Sequence, residues 1–234
     1  MQERSSQKLL RFLLSLADGT RPATHLYLVG DVFDVWVGDH AYFEKRFGPL
    51  IEAILRCRDR GIRVQYFEGN HDVHVKRYWE RRHQIACFTE AQYQQVGLRV
   101  LRIEHGDLIN AQDEAYLKYR EFIRRPALKL IAHVVPGLIF QRLGEKASRK
   151  SRTHSEVQRS QNETELRQMI RDHAVRSFGE KPFDLIVTGH MHILDDWNFE
   201  EQGRRVRSVN LGSWFGDTQV FHLTDETGTW VPVD

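Results

Sequence analysis

Apolar residues recur at helical spacing from Ser6 to Ala17, and Asp18-Gly19-Thr20 supplies a stop, so the chain is expected to open on an amphipathic helix. His25-Leu26-Tyr27-Leu28-Val29 is a continuous apolar run, which reads as a buried strand, and Gly30-Asp31 follows it directly. A second amphipathic helix is expected from Phe43 to Arg60, ending at Gly61. Arg63-Val64-Gln65-Tyr66-Phe67 reads as the next strand and leads into Glu68-Gly69-Asn70-His71-Asp72. Leu98 to Ile103 alternates and runs into His105, while Phe183 to Val187 is a buried strand followed by Thr188-Gly189-His190. Three short strands are expected in the tail, over 205–209, 219–223 and 229–231. Strand, loop, helix, strand is an α/β pattern. In open α/β sheets ligands gather at the C-terminal ends of strands, so polar motifs far apart in sequence are expected to converge.

Residues 113–178 break this rhythm. They carry almost no strand signal, apolar helical patches at 128–135 and 138–140, and then a basic run from Arg142 to Arg152. Pro126 and Pro136 divide the stretch. It reads as a helical insertion within a single domain spanning 1–234. Its apolar patches suit acyl chains, and Ser148, Arg149, Lys150, Ser151 and Arg152 suit phosphates. The plainer readings are a helix core and a solvated charged face. Arg142, Lys146, Arg149 and Lys150 are spaced to share one helical side, which also suits an anionic membrane surface.

Composition narrows the class. The chain has 234 residues, 28% charged, with a net charge of +2 when His is neutral. That balance gives no ground for a nucleic-acid partner. Its two cysteines, Cys57 and Cys87, have core-like flanks and no zinc spacing, so buried free thiols in a reducing, cytoplasmic setting are expected. The start Met1-Gln2-Glu3-Arg4-Ser5-Ser6 has no apolar signal core. No apolar run reaches the ~18–20 residues that span a bilayer.

The chemistry lies in four motifs: Gly30-Asp31-Val32-Phe33-Asp34, Gly69-Asn70-His71-Asp72, His105-Gly106-Asp107 and Gly189-His190-Met191-His192. Alone, each is a turn, a cap or a coincidence. Together, in this order and at strand ends, they are expected to make most of a two-metal site. A carboxylate at Asp31 can bridge two cations, Asn70 offers an amide oxygen, and His105, His190 and His192 offer imidazole nitrogens. This mixed set suits Mn, Zn, Fe or Co better than Ca or Mg. Two such ions can neutralise a phosphoryl group and steady a leaving oxygen. His71, next to Asn70, is placed to stabilise or protonate the leaving group. Asp34, Asp72 and Asp107 are candidates for orienting the ligands from behind.

This set resembles the calcineurin-like metallophosphoesterase superfamily over nearly the whole chain. The run Gly30 to Asp39, with Trp36 and the pair Gly38-Asp39, narrows the likeness. So do His105-Gly106-Asp107, then Asp113-Glu114-Ala115-Tyr116, and the Arg125-Pro126 that opens the insertion. In these the chain is similar to the UDP-2,3-diacylglucosamine hydrolases of lipid A biosynthesis. The resemblance implies an α/β β-sandwich flanked by helices, with the insertion as a helical lid. It implies two divalent metal ions, typically manganese. Asp31 would bridge them, Asn70, His105 and His190 would bind the second, and His192 the first. The implied reaction is attack of water on the α-phosphorus of UDP-2,3-diacylglucosamine, giving UMP and 2,3-diacylglucosamine 1-phosphate. The implied setting is cytoplasmic, peripheral to the inner membrane, with a nucleotide-linked acylated sugar as partner.

Two departures bear on this. His71 stands where the lipid A hydrolases often carry Arg, and His is the commoner residue in the wider superfamily, which favours a broader phosphodiesterase or phosphatase. The Asp-x-His expected on a strand ahead of the first helix is not there, because only five residues precede Ser6. The expectation is that translation starts further upstream. A genuine start at Met1 would leave the first metal short of ligands and favour a non-catalytic, metallophosphoesterase-like binding module.

Overall fold

The computed structural model describes residues 2–125, 128, 162–214 and 218–233. The basic run with Ser148, Arg149, Lys150, Ser151 and Arg152 lies outside them, as do the apolar patches beyond residue 128. The chain divides into two compact units.

The first unit holds Met1–Thr89 and the segment beginning at Glu114. Its parallel sheet has the order β1 (His25–Val29), β3 (Arg63–Phe67), β5 (Ala86–Phe88). Helices α1 (Gln2–Ala17) and α2 (Ala41–Asp59) pack on this sheet. The helical spacing read from the sequence explains the packing: Leu13 and Leu16 of α1, and Phe43, Ile51, Ile54 and Cys57 of α2, are buried with Leu26, Leu28, Val64 and Tyr66 of the strands. Parallel strands need a crossover, and α2 supplies it between β1 and β3. Val29 pairs with Phe67 at the end of the register, so the loops after β1 and β3 start side by side. Two further short strands, β2 (Trp36–Val37) and β4 (Asp72–Val73), pair in parallel and tie those loops together. Beneath them lies an aromatic cluster, with Phe33 and Trp36 at 4.7 Å, Trp36 and Tyr78 at 4.9 Å, and Tyr66 and Trp79 at 5.1 Å between ring centroids. Helix α3 (Glu114–Ile123) also belongs to this unit.

The second unit holds Glu90–Asp113 and the later chain to Pro232. Its sheet comprises β6 (Gln92–Val96), β7 (Arg99–Ile103), β8 (Leu185–Thr188), β9 (Leu194–Glu201) and β10 (Arg204–Leu211), in the order β6-β7-β8-β10-β9. Strands β7, β8 and β10 are mutually parallel and end at one edge, with Ile103 beside Val187 and Val187 beside Val209. All four residues of β8 are buried, as befits a strand covered on both faces. A helix over 162–180, α4, packs on the sheet through Ala174 and Phe178 against Phe183, Ile186 and Val206. A hairpin, β11 (Gln219–Leu223) with β12 (Gly228–Pro232), completes the unit.

The α/β class read from the sequence holds, and the described ends of the 113–178 stretch are helical. Strands 25–29, 63–67 and 219–223 have the expected bounds. The first helix starts earlier, at Gln2, and the strand expected from Phe183 starts at Leu185. Strands β2, β4, β5, β6 and β9 have no counterpart in the sequence reading.

Candidate functional site

In the first unit, Asp31 and Asn70 follow neighbouring parallel strands. Gly30 and Asp31 both take left-handed backbone, at φ 75° and 51°. This conformation costs a non-glycine residue about 1 kcal/mol and persists only where its surroundings impose it. Asp72 does so. Its buried carboxylate accepts the N–H groups of Asp31 (3.1 Å), Val32 (2.9 Å) and Gly69 (2.7 Å), and the hydroxyl of Tyr66. The Asp31 carboxylate in turn accepts the N–H of His71 at 2.9 Å. Gly69 has no room for a side chain, because a Cβ would stand 2.1 Å from Asp31 Oδ1. The ring of His71 is held by Nδ1–H donating to the Asp34 carbonyl at 2.8 Å, which leaves Nε2 as its outward nitrogen. Burial opposes charge on this ring, but the Asp31 carboxylate, the Asp34 carbonyl and Asp72 outweigh it and raise the imidazole above its ordinary value. Asp34 thus holds His71 through its backbone carbonyl, and Asp72 serves both backbone amides and the Tyr66 hydroxyl.

In the second unit, His105 follows β7 and His190 follows β8. Glu104 N–H donates to Val187 O at 3.1 Å and Gly189 N–H to His105 O at 2.8 Å, so the ladder continues through both loops. The amide of Asn210, on β10, donates to Thr188 Oγ1 (2.9 Å) and Gly189 O (2.7 Å). Gly106, at φ 98°, turns the chain away beneath Gly189 O, where a Cβ would come within 3.1 Å. His190 and His192 are left-handed, at φ 63° and 57°. With Asp31, they make three of the six left-handed non-glycine residues among those described. That concentration at candidate ligands points to function rather than chance. His190 Nδ1 lies 3.2 Å from His105 Nε2, with the rings nearly perpendicular at 77°. Two nitrogens each about 2.0–2.1 Å from one metal would stand about this far apart. Paired imidazole nitrogens in the second unit, like the carboxylate and amide oxygens in the first, are donor types that suit a divalent transition metal. Asp107, two residues past His105, is buried.

One part of the second unit escaped the sequence. Buried Glu104, next to His105, joins Arg102 at 3.0 Å and His173 of α4 at 2.5 Å. Burial pushes its carboxyl up, yet His173 and Arg102 together hold it below the ordinary range. No local signal marks a glutamate for such a role. The alternation of β7, which, carried one residue past its end, puts Arg102 and Glu104 on one face, is the nearest to one.

These motifs, at the ends of parallel strands, resemble those of the calcineurin-like metallophosphoesterases. The chain is similar over most of its length to proteins named UDP-2,3-diacylglucosamine hydrolase. The one from Ectopseudomonas mendocina is 27% identical over 214 residues, covering 92% of this chain and 86% of the relative. The one from Pseudomonas savastanoi pv. phaseolicola is 28% identical over 220 residues, covering 93% and 85%. No family model matches the chain. Among solved structures, Vps29 from Entamoeba histolytica aligns at 12% identity with a TM-score of 0.36, over 95% of this chain and 88% of that one. Among the described residues, no helix is long and apolar enough to cross a membrane.

Proposed function

We propose that the protein hydrolyses the pyrophosphate bond of UDP-2,3-diacylglucosamine to UMP and 2,3-diacylglucosamine 1-phosphate. The likeness to hydrolases of that name over nine-tenths of the chain carries the proposal, and the paired nitrogens of His105 and His190 support it. Asp31, Asn70, His105, His190 and His192 are assigned to two divalent ions, Mn2+ in the native protein. When bound, such ions stabilise phosphoryl charge and acidify water. His71, its Nδ1 held by Asp34, presents Nε2 to the leaving oxygen as donor. Ser148, Arg149, Lys150, Ser151 and Arg152 are assigned to substrate phosphates. The work is placed in the cytoplasm, at the inner-membrane surface where the acylated substrate resides.

The test is release of UMP from UDP-2,3-diacylglucosamine with added Mn2+. Asn70→Ala and His105→Ala should each abolish turnover and lose metal, whereas His71→Ala should keep metal and turn over slowly. Full rate with two metals bound in Asn70→Ala would sink the ligand assignment. A second reading, a broader phosphodiesterase, is favoured by His71 where the resembled group often carries Arg. Turnover of small diesters, with none of the acylated substrate, would decide for it.

A further inference from the structure

We propose that Glu104 and His173 are a positioning pair for His105, through which helix α4 sets the orientation of a metal-ligand loop. The inference rests on the ligand role proposed above for His105. Glu104 and His105 lie just past β7, where the ladder to β8 continues, so pinning Glu104 to one face directs its neighbour His105 to the other. Glu104 is pinned twice, by His173 Nε2 on Oε1 at 2.5 Å and by Arg102 Nη2 on Oε2 at 3.0 Å. All three side chains are about 10% exposed. Arg102 is anchored in turn, donating to Tyr93 Oη at 2.7 Å with its guanidinium over the ring.

Helix α4 reaches the same loop a second time, where Arg176 Nη2 donates to Ile109 O at 3.2 Å, just past Gly106. The backbone ladder to β8 fixes Glu104 and His105 in the plane of the sheet, and these contacts from α4 fix the loop out of that plane. A buried set of charges adds little net stability over well-packed apolar residues. Its placement one residue from a candidate ligand therefore points to orientation rather than to folding energy. Partners that orient metal ligands typically change metal affinity by about 10- to 100-fold when removed.

The experiment measures Mn2+ affinity of the full chain by titration calorimetry, and the visible spectrum of the Co2+-loaded protein. His173→Leu should weaken binding by about 10- to 100-fold and alter the Co2+ bands. His173→Gln, whose amide N–H can replace the Nε2 donor, should return to within about threefold of the parent. A double variant, Glu104→Leu with His173→Leu, should melt near the parent and still bind weakly. Parent-like affinity in His173→Leu, or affinity that recovers with stability in the double variant, would overturn the pair's role. If His173→Leu fails to fold, the glutamine and double variants decide alone. A parent chain that binds no metal would overturn the ligand reading and the pair with it. A parent that binds, alongside an unaffected His173→Leu, would overturn the pair alone.

Discussion

The carboxylate of Asp72 accepts the backbone N–H of Asp31, 41 positions earlier in the chain, at 3.1 Å. It stabilises a left-handed aspartate by supplying the acceptor which that conformation needs. It also satisfies Val32, Gly69 and Tyr66. Asp72→Asn would turn an amide N–H toward at least one of these donors. Each buried donor left unpaired costs about 1–3 kcal/mol, so a loss of about 2–4 kcal/mol is expected in urea unfolding. A loss under about 0.5 kcal/mol would refute the clamp.

Gly69 permits the close approach of two loops. A Cβ there would stand 2.1 Å from Asp31 Oδ1 and 2.5 Å from Asp31 N, and backbone cannot yield as a flexible side chain does. Gly69→Ala should therefore destabilise by about 2 kcal/mol or more and displace Asp31. Gly179→Ala, in α4 with open space around it, should be neutral or stabilise by about 0.5–1 kcal/mol. Equal effects of the two in thermal melts would contradict the steric account.

Much of this was legible in the sequence because it was local. Strands 25–29 and 63–67 are short apolar runs ending in glycine-bearing motifs. Strand β9 was not legible, because Leu194 to Glu201 reads as an acidic surface. Its buried anchor is Asp195, held by Arg167 at 2.7 Å and Arg171 at 3.1 Å, both from a helix more than twenty residues earlier. The candidate ligands were visible as motifs. Asp72 was visible beside them as an orienting candidate, but not the amides far back in the chain on which it acts, nor Glu104 with its histidine 69 positions later.

Asp196 bridges β9, β10 and β12. It accepts Arg207 Nη2 at 2.6 Å and the Trp230 indole N–H at 2.8 Å. Arg207 chiefly holds its carboxyl below the ordinary 3.8, against a smaller opposing effect of burial. Its folded value being depressed, its stabilisation is complete above 3.8 and fades as pH falls through the lower folded value. For so exposed a pair it should amount to about 1 kcal/mol or less. Carboxyl carbon NMR should find Asp196 titrating below 3.8, and rising in Arg207→Ala. A value at or above 3.8 in the parent would exclude the pairing.

Cys57 and Cys87 are free and buried. Burial pushes the Cys57 thiol up to about 11 and raises Cys87 as well. Only thiolate reacts with disulfide reagents. Neither residue should label within minutes at pH 8 in the folded protein, and both should label in urea. Fast labelling of the native chain would show that the α2 face opens.

Strand β7 joins β8 in parallel, and the contact of Val100 with Asp184 that seals this pairing spans 84 residues. During synthesis, the β6–β7 hairpin therefore leaves the ribosome long before its central partner exists. For that interval, one edge of β7 carries unpaired amides and the uncovered charges of Arg102 and Glu104. Closing so long a connection is slow and entropically costly. The second unit should accordingly be the last part of the chain to become resistant to protease during translation.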